Sequence, residues 1–140
     1  MQLNNLKGWG PKISALFVKH IIKIHNEPDL SYIKGTLNTI KKHLRKSQLL
    51  VLESTTYPGT TQNELASVIA TQELTIGQDI FCVYSPERED PGRVDFTTQS
   101  IPKLVAGLTD TCIEIGMALY GQVIETPVAT SSPKVAEMAK

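Results

Sequence analysis

The stretch FCVYSPEREDPGR, residues 81–93, sets an apolar run against a block of charge. Phe81 to Tyr84 reads as a short buried strand, and Ser85-Pro86 ends it. Glu87, Arg88, Glu89 and Asp90 follow, then Pro91-Gly92. Only 20% of the chain is charged, so four charges in succession are unusual here. Two readings are open: a solvated loop, or a binding or catalytic loop at the carboxyl edge of a sheet. The flanking segments bear on the choice.

Upstream, EPDLSYIKGTLNTIKKHLRK (27–46) places Ile33, Leu37, Ile40 and Leu44 on one helical face. Pro28 stands near its start. Glu27 and Asp29 suit the positive end of the helix dipole, and Lys41, Lys42, Arg45 and Lys46 suit the negative end. QLLVLES (48–54) is long enough for a buried strand, and Pro58-Gly59-Thr60-Thr61 breaks it. Thr61 with Glu64 three residues on has the form of a capping box, predicting a helix to about Ala70. Downstream, KLVAGL (103–108) is another strand. Thr109 or Asp110 caps a helix with Ile113, Met117 and Tyr120 on one face. QVIETPV (122–128) reads as a further strand, and Ser132-Pro133 opens a last helix. Residues 1–26 have no clean period: Gly8-Trp9-Gly10-Pro11 is a turn, and Lys12 to Ile24 reads as a helix or a broken strand.

Short apolar strands alternating with helices predict an α/β fold: a truncated Rossmann-like parallel sheet with helices on its faces. Ligands of such sheets sit at the carboxyl ends of the strands. ESTTYPGTT (53–61) and SPEREDPG (85–92) both fall there.

The totals fit one domain of 140 residues with a modest core, 41% hydrophobic. No window of about 18 apolar residues marks a membrane span, and no signal peptide is expected at the N-terminus. Cys82 and Cys112, two cysteines in apolar stretches, suggest a reducing cytoplasm. Residues 1–46 hold nine Lys/Arg against two acids, and residues 47–140 hold five against twelve. The bases are dispersed, without a block of five or interleaved aromatics, so solvated helix faces are expected and no nucleic-acid partner. His20, His25 and His43 lack metal-ligand spacing, and no metal site is expected.

EPDLSYI, LVLESTTYPGTT, SPEREDPG, IPKLVAG, ALYGQVIETPV and SSPKVAEMAK together resemble the UDP-glucose/GDP-mannose dehydrogenase family. The resemblance is to its UDP-N-acetyl-hexosamine 6-dehydrogenase branch and covers the second half of the N-terminal NAD-binding domain. It implies a division into an unmatched segment, 1–26, and a partial NAD-binding domain, 27–140, ending at the start of the interdomain helix. It also implies oxidation of the C6 alcohol of a UDP-sugar to a uronate, with two NAD in succession. In the family a cysteine in a later domain captures the aldehyde as a thioester, which is then hydrolysed.

Carried over by position, the family's threonine is Thr55, its glutamate Glu87 and its lysine Lys140. Glu87 would act as general base on the attacking water, and Lys140 would stabilise an oxyanion. Thr55 would hold a water or the nicotinamide amide through a hydroxyl that both donates and accepts. Ser54 and Thr56 are further cofactor-contact candidates, with Glu87. The substrate loop would comprise Glu87, Arg88, Glu89 and Asp90. Each has a plainer reading: a turn-satisfying hydroxyl at Thr55, a solvated run at 88–90, a frayed end at Lys140. Cys82, between Phe81 and Val83, reads as a small core residue; Cys112 opens a helix, matches no family nucleophile and reads as structural.

GWGPKI (8–13) has two glycines and a proline where a dinucleotide cradle needs a backbone donor, so it reads as a turn. Without those charge-assisted bonds, NAD binding by this chain is expected at millimolar strength or not at all. The chain is expected to be inactive alone. The alternative is a non-catalytic remnant that associates with itself, as a homodimer, or with a full-length relative through an open sheet edge.

Overall fold

The computed structural model describes residues 14–16, 29–87 and 101–139. Five strands form one sheet in the order β1-β2-β3-β4-β5: Ser14–Leu16, Gln48–Leu52, Ile80–Tyr84, Lys103–Gly107 and Pro127–Ala129. The ambiguous stretch 12–24 therefore contributes a short strand, β1, paired in parallel with β2 from Ser14↔Leu50 to Leu16↔Leu52. Helix α1 (Ser31–Lys41) leads into β2. A π-helical turn (Thr61–Leu65) running into α2 (Ala66–Ala70) crosses from β2 to β3. Helix α3 (Asp110–Tyr120) crosses from β4 to β5, and α4 (Pro133–Met138) follows.

The strands form because alternate apolar side chains face two cores. Leu50, Leu52, Ile80, Cys82, Tyr84 and Ala106 pack against α1, α2 and α4 through Ile33, Leu37, Leu65, Ile69 and Ala136. Leu49, Val51, Phe81, Val83 and Val105 pack against α3 through Cys112 and Tyr120. Every residue of β3 is buried, as a strand covered on both faces requires. Helix α3 sits very close to β4: a Cβ on Gly107 would lie 2.3 Å from the Ile113 backbone nitrogen, so only glycine fits.

Two expectations are corrected. The sheet is mixed, not all parallel: β1, β2 and β3 run together, but β4 pairs antiparallel with β3 through Val83↔Gly107 and Tyr84↔Ala106. A parallel neighbour needs a crossover, usually a helix, and the sequence between Tyr84 and Lys103 carries no helical period. Strand β5 then runs parallel to β4. The capping box is also absent. The helical run opens at Thr60, and the backbone N–H and hydroxyl of Thr61 both donate to Glu137, far along the chain.

Other local signals appear as read. The Thr109 and Ser132 hydroxyls accept from the N–H groups of Cys112 and Val135, at 3.2 and 3.4 Å. Asp29 accepts from Ser31 N–H at the head of α1. The Glu27 part of that expectation lies outside the described residues. No helix among the described residues is long and apolar enough to cross a membrane.

Candidate functional site

Strands β2 and β3 end side by side. Their parallel register runs from Gln48↔Ile80 to Leu52↔Tyr84. It continues past the strands: Ser85 N–H donates to the Leu52 carbonyl at 3.0 Å and Glu87 N–H to the Glu53 carbonyl at 3.2 Å. The hydroxyl-rich bend after β2 and the acidic bend after β3 therefore share one rim. Ser54, Thr55, Thr56 and Glu87 are brought together there. Arg88, Glu89, Asp90 and Lys140 lie outside the described residues. So does the turn Gly8-Trp9-Gly10-Pro11.

Ser54 and Glu87 are held from below. Ser54 is buried, and its carbonyl accepts from the Tyr84 hydroxyl at 3.2 Å. Burial pushes the Tyr84 phenol above its ordinary range. Next to it, the Thr56 hydroxyl oxygen is buried and makes no hydrogen bond of normal geometry among the described residues. The Tyr84 phenol lies against this same threonine, whose hydrogen bonding partly offsets the effect of burial on the phenol. Thr55 is half-buried beside it.

Beneath Glu87 lies a cluster that sequence reading missed. Lys103, the first residue of β4, is 3.2 Å from Glu87 Oε2 and 3.6 Å from Glu53 Oε1. Its Nζ also lies 3.5 Å from the Pro86 carbonyl and 5.2 Å from the centre of the Tyr120 ring. The Tyr120 hydroxyl donates to Glu53 Oε1 in a short hydrogen bond. Burial first, and the Glu53 carboxylate second, drive the Tyr120 phenol far above its ordinary range. The side chains of Lys103 and Glu53 are 9% and 7% exposed, whereas Glu87 is 42% exposed. The cluster is thus a dry ion pair with one carboxylate reaching out of it. Its signal in the sequence was a charge at the end of each of two apolar runs, LVLE and KLVAG. It went unread because an all-parallel sheet puts Lys103 at the opposite rim. The reversed strand brings it here.

A second missed residue is Glu137 in α4. It is 3% exposed, and it accepts from Gly59 N–H at 2.5 Å, Thr61 N–H at 2.8 Å and the Thr61 hydroxyl at 2.7 Å. Gly59 takes φ +99°, a backbone conformation natural to glycine, and its N–H is one of the three donors. This carboxylate replaces a local cap and fixes the bend that carries Thr55 and Thr56. Cys82 and Cys112 are buried, with Cys112 Sγ accepting from Cys82 N–H at 3.3 Å. Burial raises the Cys82 thiol far above its usual range, as suits a core residue.

Residues 13–124 match the UDP-glucose/GDP-mannose dehydrogenase family, NAD binding domain. The chain is 40% identical over 118 residues to Protein CapL of Staphylococcus aureus, an overlap of 83% of this chain and 28% of the relative. It is 36% identical over 118 residues to a UDP-N-acetyl-D-glucosamine 6-dehydrogenase of Pseudomonas aeruginosa, with the same shares. Its fold is similar to the native structure of the UDP-N-acetyl-mannosamine dehydrogenase Cap5O from Staphylococcus aureus. There the TM-score is 0.84 at 27% identity, over 91% of this chain and 32% of that one. The chain thus spans about 28% of the length of the curated relatives it matches. By that family match and this Rossmann-like fold, the chain belongs to the UDP-glucose/GDP-mannose dehydrogenase family.

Proposed function

We propose that this chain supplies the nicotinamide side of an NAD site and the general base of a nucleotide-sugar 6-dehydrogenase. The substrate class is a UDP-sugar, a UDP-N-acetyl-hexosamine, whose C6 alcohol becomes a carboxylate. The single observation that carries the reading is the shared rim: Thr55 and Thr56 lie in the bend after one strand, Glu87 in the bend after its parallel neighbour, and Glu87 N–H is bonded to the Glu53 carbonyl across the gap.

The residues present fit the nicotinamide end of NAD. The buried Thr56 hydroxyl would meet the carboxamide, and the half-buried Thr55 hydroxyl would hold the reacting water or the same amide. NAD, when bound, supplies the hydride acceptor. Glu87 does the proton work. Its carboxylate stands partly open at the rim and accepts the proton of a water attacking the acyl carbon. Lys140 would stabilise the developing oxyanion, and Arg88, Glu89 and Asp90 would line the sugar side of the same loop.

The test is a transplant. Residues 29–139 of this chain replace their counterparts in a full-length UDP-N-acetyl-D-glucosamine 6-dehydrogenase, and NADH formation is followed with UDP-N-acetylglucosamine. The transplant turns over, and Glu87→Gln within it lowers kcat by about 100-fold or more, the usual contribution of a general base. Equal turnover with Gln at this position overturns the assignment.

A further inference from the structure

We propose that Lys103 is a positioning residue for Glu87, anchored in place by Glu53 and Tyr120. The proposal rests on Glu87 being the base, but the cluster itself is a matter of geometry. Four elements converge: Glu53 from the end of β2, Glu87 from the end of β3, Lys103 from the start of β4 and Tyr120 from the end of α3. These are the titratable groups that face one another here among the described residues. Pro86 adds a carbonyl, and Ser85 ties the bend to β4 by donating to the Leu104 carbonyl at 2.8 Å.

Each member has a distinct task. A buried ammonium needs a charge partner, and Glu53, equally buried, provides it. Tyr120 donates its proton to Glu53 and lays its ring against the ammonium, which leaves Glu53 and Lys103 little freedom to move. Lys103 is thereby a fixed cation under the rim, within 3.2 Å of Glu87 Oε2. A flexible surface lysine would be screened and mobile, whereas this one has 9% of its side chain exposed. It holds one carboxylate oxygen and favours the ionised form that a base requires. The device depends on the reversal of β4. Continuing the pairing of Val83 with Gly107 and Tyr84 with Ala106 brings Lys103 level with Glu87.

The experiment is carboxyl-carbon NMR of this chain, labelled at glutamate and lysine, titrated through the acid range. In the unmodified chain the Lys103 side-chain resonances inflect at the Glu87 midpoint, and Glu87→Gln abolishes that inflection. In Lys103→Met the Glu87 midpoint rises by about one pH unit or more, and in Lys103→Arg it returns towards the original value. Independent titration of Lys103 and Glu87, or a midpoint unmoved in Lys103→Met, overturns the proposal. The first arm needs no substitution at Lys103, so it decides even where Lys103→Met fails to fold. No arm involves NAD or sugar. Loss of the coupling thus sinks the Lys103 proposal alone, while an active Glu87→Gln transplant sinks the assignment of the base.

Discussion

Glu137 caps the helical turn that begins at Thr61, from a position 76 residues further along the chain. One buried carboxylate closes three donors on the bend after β2, so the last helix and the candidate site are mechanically one unit.

Glu137→Gln tests that link. The amide keeps the shape but turns an NH2 towards donors and removes the charge. Hydrogen bonds to charged groups contribute roughly 1.5–3 kcal/mol each. A loss of about 2–4 kcal/mol is expected by urea unfolding. Thr61→Val, which removes one donor and leaves the backbone bond, should lose about 1.5 kcal/mol, the low end of that range. Equal small losses for both would show that the carboxylate is not the cap.

Gly107→Ala probes the contact between β4 and α3. The added methyl meets backbone atoms, 2.3 Å from Ile113 N and 2.7 Å from the Cys112 carbonyl carbon, which no rotamer change relieves. Overpacking of this kind costs about 3 kcal/mol, the upper end of the usual range. A melting temperature within a degree or two of the original would contradict this close approach.

Tyr120 gives a pH dependence with a definite sign. The folded phenol is held neutral well above its ordinary value of 10.0 by burial and by Glu53. The unfolded phenol ionises near 10, so stability is full below that and falls as pH rises beyond it. Tyr120→Phe should cost about 1.5–3 kcal/mol at neutral pH through the lost hydrogen bond to the Glu53 carboxylate. It should also flatten the alkaline loss, measured as unfolding midpoint against pH from 8 to about 11. An unchanged alkaline slope would sink this assignment.

The apolar runs and their hydroxyl caps were legible because they are local. Phe81 to Tyr84 alternates between two cores, and Thr109 and Ser132 stand where a cap belongs. Strand β5 was read too early: Gln122 and Val123 close the last turn of α3, with N–H groups on Leu119 and Tyr120, before Pro127 begins the strand. The direction of β4 was open to sequence reading, since no helical period separates its apolar run from that of β3, yet alternation elsewhere suggested one sense throughout. Lys103 went unread for that reason. Glu137 was beyond local reading, because a cap 76 residues away leaves no spacing signal. The rim of Thr55, Thr56 and Glu87 was legible because parallel neighbours must present their carboxyl ends together.

The central claim is that the bends after β2 and β3 form one nicotinamide-facing rim, and amide NMR of the labelled chain titrated with NAD tests it most directly. The account predicts that the amides of Ser54, Thr55, Thr56 and Glu87 shift together, with a Kd in the millimolar range, about −4 kcal/mol of binding. Nicotinamide mononucleotide should reproduce the shifts, and AMP should not. Stationary rim amides at saturating NAD, or the same shifts with AMP, would contradict it.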